Sequence, residues 1–313
     1  MVTLTVLPLR VTFRAQRDIF VANPHTAVRG AFGLALRSTV CERGCQNSQT
    51  CPQGVGQCFN ARFFDGALTP AEQAAAPSGF RQDPPKPFVL RPGIGPGTTL
   101  RGAHWHLDIY CFHPSGLAME KLLASLARLG DDGLGEQRAP STIVRIEGLD
   151  SQFQPQQPLQ SHVLPLPTPK SSTAEPVIFQ FHSPTEIVHA GRIVPRPEFP
   201  YFIQALGNRL QPLCRFYGQG YWPTGELSAF RSHSAGATMR IIVSASPKSS
   251  RTSTRTGQRH DLKGFTGLVE YVAAWRSYSH WLQAGLWTGV GKHTQFGHGN
   301  YSFQPGSTND LLL

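Results

Sequence analysis

The chain has 313 residues, of which 40% are hydrophobic and 15% charged, and it contains 31 glycines and 26 prolines. This length fits one large or two ordinary domains, with an apolar core and many loops. The formal net charge of +10 favours a polyanionic partner such as RNA or DNA, although a surface that is basic only for solubility would have the same composition.

The positive charge lies mostly in the second half, since residues 176–313 hold 13 Lys/Arg and 6 Asp/Glu. No apolar stretch reaches the roughly 18 residues that a membrane helix needs. The first residues alternate like a strand rather than forming a signal peptide. We therefore expect a cytoplasmic protein with no membrane partner, in which the six cysteines are thiols or metal ligands rather than disulfides.

The first half of the chain predicts the element order β-α-β-β-α-β. Alternating apolar residues indicate strands, and apolar residues at helical spacing indicate helices. In chain order the predicted elements are a strand over Val2–Phe13, a helix over Pro24–Thr39, a Cys-rich insertion from Cys41 to about Pro85, strands over Phe88–Leu90 and Thr98–Phe112, a helix over Met119–Leu129 and a strand over Ile143–Ile146.

The second half repeats this plan after a segment rich in Pro, Gln and Ser, residues 151–172, which we interpret as a linker. The predicted elements are a strand over Val177–Phe181, a hairpin extension over Glu186–Val194, a helix from Phe199 to Leu213, strands near 226–232 and 237–245, a Ser/Arg/Lys loop from Pro247 to about Leu262, a strand over Gly267–Val272, a helix from Trp275 to Leu286, a glycine loop and a strand over Asn300–Phe303. The prediction is an α+β protein of two tandem ferredoxin-like (RRM-like) βαββαβ domains, 1–150 and 173–313.

The glycine loop, residues 289–299, holds four glycines with one Lys and two His between them. A turn rich in backbone N–H groups beside a cation suits phosphate. The loop is not a P-loop, because Gly291-Lys292 is followed by His293 and the first glycine position holds Leu286. It is not a dinucleotide fingerprint either, because Thr294 replaces the third glycine.

The glycine loop resembles the signature of the RAMP superfamily of CRISPR-associated proteins, and most closely that of the endoribonucleases that mature CRISPR precursor RNA. The resemblance extends to other segments in the expected order: Arg29 to Arg37 followed by the Cys-rich stretch, Phe199 to Gly218, and Ser249 to Gly267. It implies tandem ferredoxin-like domains and metal-independent cleavage within repeats by attack of the 2'-OH, giving 2',3'-cyclic phosphate and 5'-OH ends. It also implies retention of the product RNA, with CRISPR repeat RNA and other effector subunits as partners and no cofactor for catalysis.

His25, Arg29 and Arg37 are the catalytic candidates at the first helix, where the resembled family often places its catalytic residues. Histidine suits general acid or base catalysis and arginine suits stabilisation of the phosphorane. His293 is an assisting candidate in the glycine loop, while the role of His298 stays open. The alternatives are that His25 caps the helix or lies in solvent, and that Arg29 and Arg37 act without a general base or only bind phosphate.

The RNA-binding candidates form two groups. The first is the glycine loop itself, with Gly289, Gly291, Lys292, Gly297 and Gly299. The second is a basic segment that should hold an RNA stem through phosphates and 2'-hydroxyls, or else be a solvated disordered loop. It contains Lys248, Arg251, Arg255, Arg259 and Lys263.

The cysteines of the insertion form a candidate structural zinc site. Cys41, Cys45, Cys51 and Cys58 have the spacing C-x3-C-x5-C-x6-C, which is less specific than paired C-x2-C. Free thiols and an iron–sulfur cluster are the alternatives. Cys111 and Cys214 lie on apolar stripes and should be core residues, and His104, His106 and Asp108 should form a polar strand face.

The sequence is compatible with three functions. The leading hypothesis is a precursor-RNA endoribonuclease, and the second is a non-catalytic RAMP subunit that binds crRNA. The third is a zinc-dependent nucleic-acid-binding module, which predicts that chelation abolishes RNA binding.

Overall fold

The structure is a computed structural model that describes residues 1–41, 54–76, 84–114, 117–223, 226, 230, 234–245, 249–252 and 259–307. It divides into two compact units. The N-terminal unit is Thr5–Val163, and the C-terminal unit combines Met1–Leu4 with Leu164–Leu313. No helix in the described ranges is long and apolar enough to cross a membrane.

The elements from the N-terminus to the end of the predicted linker are mainly strands. The strands are β1 (Val2–Ala15), β2 (Ile19–Val21), β3 (Phe88–Pro92), β4 (Gly97–Thr99), β5 (His104–Cys111), β6 (Ser141–Leu149), β7 (Pro155–Gln156) and β8 (His162–Leu166). The helices are α1 (Pro24–Val40), α2 (Pro70–Ala75) and α3 (Met119–Asp132), with a π-helical turn at Asn60–Phe64. The sheet order β3-β5-β1-β6-β7, with β8 also pairing with β1, contains the antiparallel ferredoxin-like order β3-β5-β1-β6.

The alternation of β1 decides which face of this sheet the helices cover. Leu9, Val11 and Phe13 are buried in one cluster with the apolar stripe of α3. Arg10, Thr12 and Arg14 point to the opposite face, because successive strand residues alternate. On that face Arg10 forms a bidentate ion pair with Asp108 of β5, with both N···O distances 2.7 Å.

The C-terminal unit contains the remaining elements. They are β9 (Glu175–Thr185), β10 (Val188–His189), β11 (Arg192–Ile193), α4 (Phe199–Tyr217), β12 (Thr238–Ala245), β13 (Ser249–Thr252), β14 (Arg259–Leu262), β15 (Phe265–Ala273), a 3-10 turn (Trp275–Tyr278), α5 (Ser279–Thr288), a 3-10 turn (Thr294–Phe296) and β16 (Tyr301–Pro305). The main sheet has the order β12-β15-β9-β16, which is again ferredoxin-like. The predicted fold class, two tandem ferredoxin-like units, is therefore confirmed.

Aromatic side chains fill the core of the C-terminal unit. Phe179 of β9 meets Phe202 of α4 and Tyr271 of β15 edge-on, with ring centroids 5.3 Å apart in both pairs. Tyr301 of β16 packs edge-on against Phe202 at 5.1 Å. Edge-to-face packing is the favoured arrangement of such rings, so these pairs tie helix and sheet together.

The first residues of the chain complete the C-terminal unit. Thr3 and Gln219 exchange two backbone hydrogen bonds, each 2.9 Å long. A Cβ at Gly218 would overlap the carbonyl oxygen of Thr3, so this close approach requires glycine.

The structure differs from the predicted elements in two strands. The predicted strand Thr98–Phe112 is broken by a turn over Leu100–Ala103, and its first part, β4, pairs with β2 instead of the main sheet. The predicted strand near 226–232 is wrong for the two of its residues that the structure describes, Glu226 and Phe230, which are helical. Phe230 is buried and packs edge-on against Trp281 of α5, with ring centroids 5.0 Å apart. The apolar side chain that suggested a strand therefore packs against a helix.

Two segments predicted to be irregular contain paired strands. The linker holds β7 and β8, and the Ser/Arg/Lys loop holds the antiparallel hairpin of β13 and β14. Much of the predicted insertion, including residues 42–53 and 77–83, lies outside the described residues.

The described part of the insertion is stabilised by an ion pair that predicts pH dependence. Hydrogen bonding to Arg62 lowers the pKa of Glu72 from 4.5 to about 2. A lowered carboxyl pKa contributes stability that is complete above the unfolded value and lost as pH falls toward the folded one. We expect the amides of Gln73 and Ala76 to lose protection against hydrogen exchange, corrected for intrinsic rates, as pH falls from about 5 toward 3. Glu72→Gln should remove this dependence, and the same dependence in the variant would contradict the assignment.

Candidate active site

The glycine loop begins where α5 ends and is shaped by left-handed backbone. Gly289, Gly291, Gly297 and Gly299 have φ between 67° and 86°. His293 also has a positive φ of 60°, which is uncommon for a residue with a side chain. The glycines at 291 and 299 are required by space as well, because a Cβ would overlap the carbonyl oxygens of Glu186 and Val290, respectively.

The backbone N–H groups of the loop bind mostly to the protein. Val290 donates to Gly299 at 3.0 Å, Lys292 to Glu186 at 2.9 Å and Gly299 to Pro184 at 3.0 Å. Phe296 and Gly297 donate within the loop, to His293 and Thr294. These five N–H groups are therefore not available to a phosphate. The sequence interpretation that the loop offers its backbone N–H groups to a phosphate is wrong for these five, because protein carbonyls accept their hydrogen bonds.

The loop side chains divide into a buried and an accessible set. His298 is 1% exposed and lies with its ring 6.0 Å from that of His293. Thr294 and Phe296 are buried as well. Lys292 is exposed and His293 is half-buried. Of the two loop histidines, only His293 can therefore reach a ligand without rearrangement.

Glu186 is a residue of this site that the sequence analysis did not single out. Its carbonyl oxygen accepts from Lys292, and its carboxylate accepts from the backbone N–H of Lys263. Burial raises the pKa of Glu186, while the charges of Lys292 and Lys263 oppose that rise. The carboxyl group thus lies between two candidate RNA-binding lysines. Its distance in sequence from the loop, about 100 positions, hid this proximity.

The first helix presents His25 at its second residue. Asn23 caps α1, since its side-chain oxygen accepts the N–H of Thr26 at 3.2 Å. The alternative that His25 itself caps the helix is therefore wrong. His25 is half-buried, as are Arg29 one turn later and Arg37 two further turns along. Because Val28, Phe32 and Leu36 of the same helix are buried, these polar residues lie beside the core face rather than in it.

Phe64 of the insertion packs against α1 beside Arg29. The guanidinium carbon of Arg29 lies 4.3 Å from the centre of the Phe64 ring, which is a cation–π contact. The same ring covers Gly33, where a Cβ would overlap it. Phe64 thus occupies the helix face between Arg29 and Arg37 and orients the Arg29 side chain.

The structure describes the basic segment only in part. Arg251 lies in β13 and Arg259 in β14, so these two cations belong to the two arms of one hairpin. Lys263 follows the hairpin and is exposed. Lys248 and Arg255 lie outside the described residues.

The cysteines of the candidate zinc site are also only partly described. Cys45 and Cys51 lie outside the described residues. Cys58 is buried and its sulfur accepts the N–H of Ala61 at 3.4 Å, while Cys41 is half-buried at the end of α1. Within the part of the chain that the structure describes, no three metal-binding side chains cluster. Cys111 and Cys214 are buried, as expected, and burial raises the pKa of each thiol to about 12.

The close approach of Val290 and Gly299 predicts a large effect of a single methyl group. Gly299→Ala places a Cβ against the Val290 carbonyl at positive φ, and we expect it to lower the free energy of unfolding by at least about 2 kcal/mol. Gly30→Ala is the matched control, because a Cβ there meets nothing within 4 Å. The control should change stability by no more than about 1 kcal/mol, in the stabilising direction. Urea unfolding measures both, and equal stability of the two variants would contradict the required loop geometry.

Comparison with known families finds one matching family model for each half of the chain. A family model described as an N-terminal domain matches residues 4–167, which is more than half of the chain. The model of the CRISPR-associated endoribonuclease Cas6 matches residues 179–301, which contain the whole glycine loop. No protein of curated function matches the sequence.

Three solved structures with the same fold are distant in sequence. A Cas6 product complex has a TM-score of 0.56 and 16% identity, with 95% of this chain and 99% of that chain covered. Thermus thermophilus Cas6 has a TM-score of 0.50 and 13% identity, with 97% and 100% covered. A partial Cas6-RT-Cas1–Cas2 complex has a TM-score of 0.56 and 10% identity, with 97% of this chain and 46% of that chain covered. These likenesses establish the fold, and the family model relates residues 179–301 to the CRISPR-associated endoribonuclease Cas6.

Proposed function

We propose that the chain is a metal-independent endoribonuclease that cleaves CRISPR precursor RNA once within each repeat and retains the crRNA. The observation that carries this proposal is the match of the Cas6 endoribonuclease family to residues 179–301, which include the exposed Lys292. The net charge of +10 supports a polyanionic substrate.

The proposed reaction is an internal transfer at phosphorus. The 2'-oxygen upstream of the scissile phosphate attacks the phosphorus, and the bond to the 5'-oxygen breaks. A base takes the proton of the 2'-OH, and an acid returns one proton to the leaving 5'-oxygen. The products are a 2',3'-cyclic phosphate and a 5'-hydroxyl.

The residues of α1 are assigned the central chemistry. His25 exchanges a proton with the 2'-OH or with the 5'-oxygen, because imidazole titrates near neutral pH. Arg29 and Arg37 stabilise the additional negative charge of the phosphorane. The cation–π contact with Phe64 supports this role for Arg29, since an oriented guanidinium loses less freedom when it binds phosphate.

The C-terminal unit is assigned RNA binding and an assisting role. Lys292 neutralises phosphate charge and the half-buried His293 assists proton transfer. Gly289, Gly291, Gly297 and Gly299 act mainly by shaping the loop that presents these two side chains. The cations of the basic segment contact the stem of the repeat RNA through its backbone.

Partners and metal content complete the proposal. Repeat RNA is the substrate and crRNA the retained product. Other CRISPR effector subunits are proposed partners, supported by the occurrence of Cas6 in a Cas6-RT-Cas1–Cas2 complex. A zinc ion held by Cys41, Cys45, Cys51 and Cys58 is proposed as a structural element of the insertion that takes no part in cleavage.

The second candidate function is a subunit that binds crRNA without cutting it. The occupied N–H groups of the glycine loop favour this alternative, because they remove one source of transition-state stabilisation. It predicts tight binding of repeat RNA with no product under any condition.

Cleavage in the presence of excess EDTA distinguishes these functions. We expect the labelled repeat RNA to be cut at one position, and the same RNA with a single 2'-deoxy nucleotide at that position to be bound but intact. The reason is that the 2'-oxygen is the nucleophile and no metal ion is needed. Denaturing gels and the chemistry of the product ends measure the outcome. Binding of both RNAs without a cut would leave the crRNA-binding subunit as the function.

Substitutions in α1 then test the assigned roles. His25→Ala should lower the single-turnover rate by about 10²-fold or more, as expected for loss of a general acid or base. Arg29→Ala and Arg37→Ala should also lower the rate. His280→Ala removes an exposed histidine of α5 and serves as the control. A wild-type rate for His25→Ala would exclude it as the acid or base.

The orientation of Arg29 by Phe64 gives a separate prediction. Phe64→Leu keeps an apolar cover on Gly33 but removes the ring, and should lower the single-turnover rate about threefold to tenfold. Phe64→Tyr keeps the ring and should retain the rate. RNA affinity should stay unchanged in both variants, which separates positioning from general loss of structure. Equal rates for the Leu and Tyr variants would show that Phe64 contributes packing alone.

A further inference from the structure

The helix-free face of the N-terminal unit's sheet ends in a basic concavity. A pocket of about 380 Å³ is lined by Arg14, Ala15, Gln16, Arg101, Gly102 and Thr142. We call it the Arg14–Arg101 pocket. It lies where β1 ends, β6 begins and the turn before β5 returns, so three chain segments build it.

The backbone around this pocket is fixed by hydrogen bonds. Ala15 donates to Ala103 at 2.9 Å and accepts from Gly102 at 2.7 Å. The turn over Leu100–Ala103 closes through a 3.0 Å bond from Ala103 to Leu100. Gly102 occupies its third position with φ of 84°, where glycine is favoured. The pocket is therefore preformed, and Arg101 projects from an anchored turn.

The charges on this sheet face are distributed unevenly. Arg10 is neutralised by its bidentate pair with Asp108. Arg14 lies four residues after Arg10 in β1, on the same face of the sheet. No salt bridge among the described residues involves Arg14 or Arg101. The carboxylate of Asp18 accepts the backbone N–H of Arg101 at 2.7 Å and is the acidic group beside the pocket. The charge of exposed Arg17 offsets that of Asp18, so the positive charges of Arg14 and Arg101 remain unbalanced.

The remaining wall of the pocket is polar. The side chains of Gln16 and Thr142 are hydrogen-bonded to each other and exposed. None of the described residues that line the pocket is aromatic, so they offer no surface on which a base could stack. Sites for small organic ligands are mostly apolar, which this one is not. Paired guanidinium groups without an apolar wall suit a phosphate.

We propose that the Arg14–Arg101 pocket binds a phosphodiester of the RNA backbone, outside the site formed by α1 or the glycine loop. The inference rests on the proposed function for the presence of RNA, and adds a second anchoring point on the N-terminal unit. Because the contacts are to phosphate, the pocket increases affinity and does not read sequence.

The test measures binding of 2'-deoxy-blocked repeat RNA by fluorescence anisotropy over a series of salt concentrations. Arg14→Gln and Arg101→Gln should each weaken binding about tenfold, as expected for loss of a charge-assisted contact. Each should also reduce the slope of log affinity against log salt by roughly 0.7 to 1. Arg128→Gln removes the same charge from α3, on the helix-covered side, and should leave both quantities close to wild type.

A second RNA of equal length and unrelated sequence tests the backbone assignment. Arg14→Gln should lower the affinity for both RNAs by the same factor. A loss confined to repeat RNA would overturn the assignment, because it would mean base recognition. Wild-type affinity and slope in both glutamine variants would also overturn it while leaving the proposed function intact.

The failure of the proposed function has a different signature. Absence of repeat-RNA binding by the wild-type chain would overturn both proposals together. Thermal melting checks that the variants fold, which we expect because both arginines are exposed. Arg14→Lys provides the second variant. It should keep the salt slope, because the charge remains, and lose part of the affinity, because lysine lacks the planar guanidinium that binds phosphate through two hydrogen bonds.

Discussion

The close approach of the backbone at Val290 and Gly299 is the constraint on which the C-terminal unit depends. It joins the end of α5 to the start of β16, and it exists only because residue 299 lacks a Cβ. Once β16 is held there, Tyr301 enters the core and its hydroxyl donates to the carbonyl of Leu282 at 2.8 Å. The glycine content of the loop therefore serves folding first. The side chains that this geometry presents, Lys292 and His293, are the candidate RNA contacts.

Much of the fold was predictable because its pattern is local. The alternation of Leu9, Val11 and Phe13 and the helical spacing of Phe202, Leu206 and Leu210 identify which faces are buried, and all six residues are buried in the structure. The pattern failed near 226–232, because a short apolar run does not distinguish a strand from a buried helical turn. It also failed at residue 100, where the turn depends on the positive φ of Gly102.

The candidate site was less predictable because its contacts join distant parts of the sequence. The glycine-rich composition predicted a tight turn between helix and strand, but the carbonyls of Pro184 and Glu186, which accept its N–H groups, belong to the end of β9 and the residue after it. Similarly, nothing in the sequence marked Phe64 as the residue that covers Gly33 and meets Arg29. The cap residue Asn23 could have been recognised from its preference for helix starts, which would have removed capping as a role for His25.

The bonds between Thr3 and Gln219 have a consequence for how the chain is made. During synthesis the N-terminal segment leaves the ribosome long before its partner, so the C-terminal unit must wait for the last third of the chain to recruit the first residues. Contacts between such distant positions form slowly, because closing a long loop costs entropy. Within Thr5–Val163 the corresponding separation is shorter, since β1 pairs with β6 from Leu9–Gly148 to Ala15–Ser141. Both units therefore recruit residues of β1 after later segments are made, and the C-terminal unit does so at the later stage of translation.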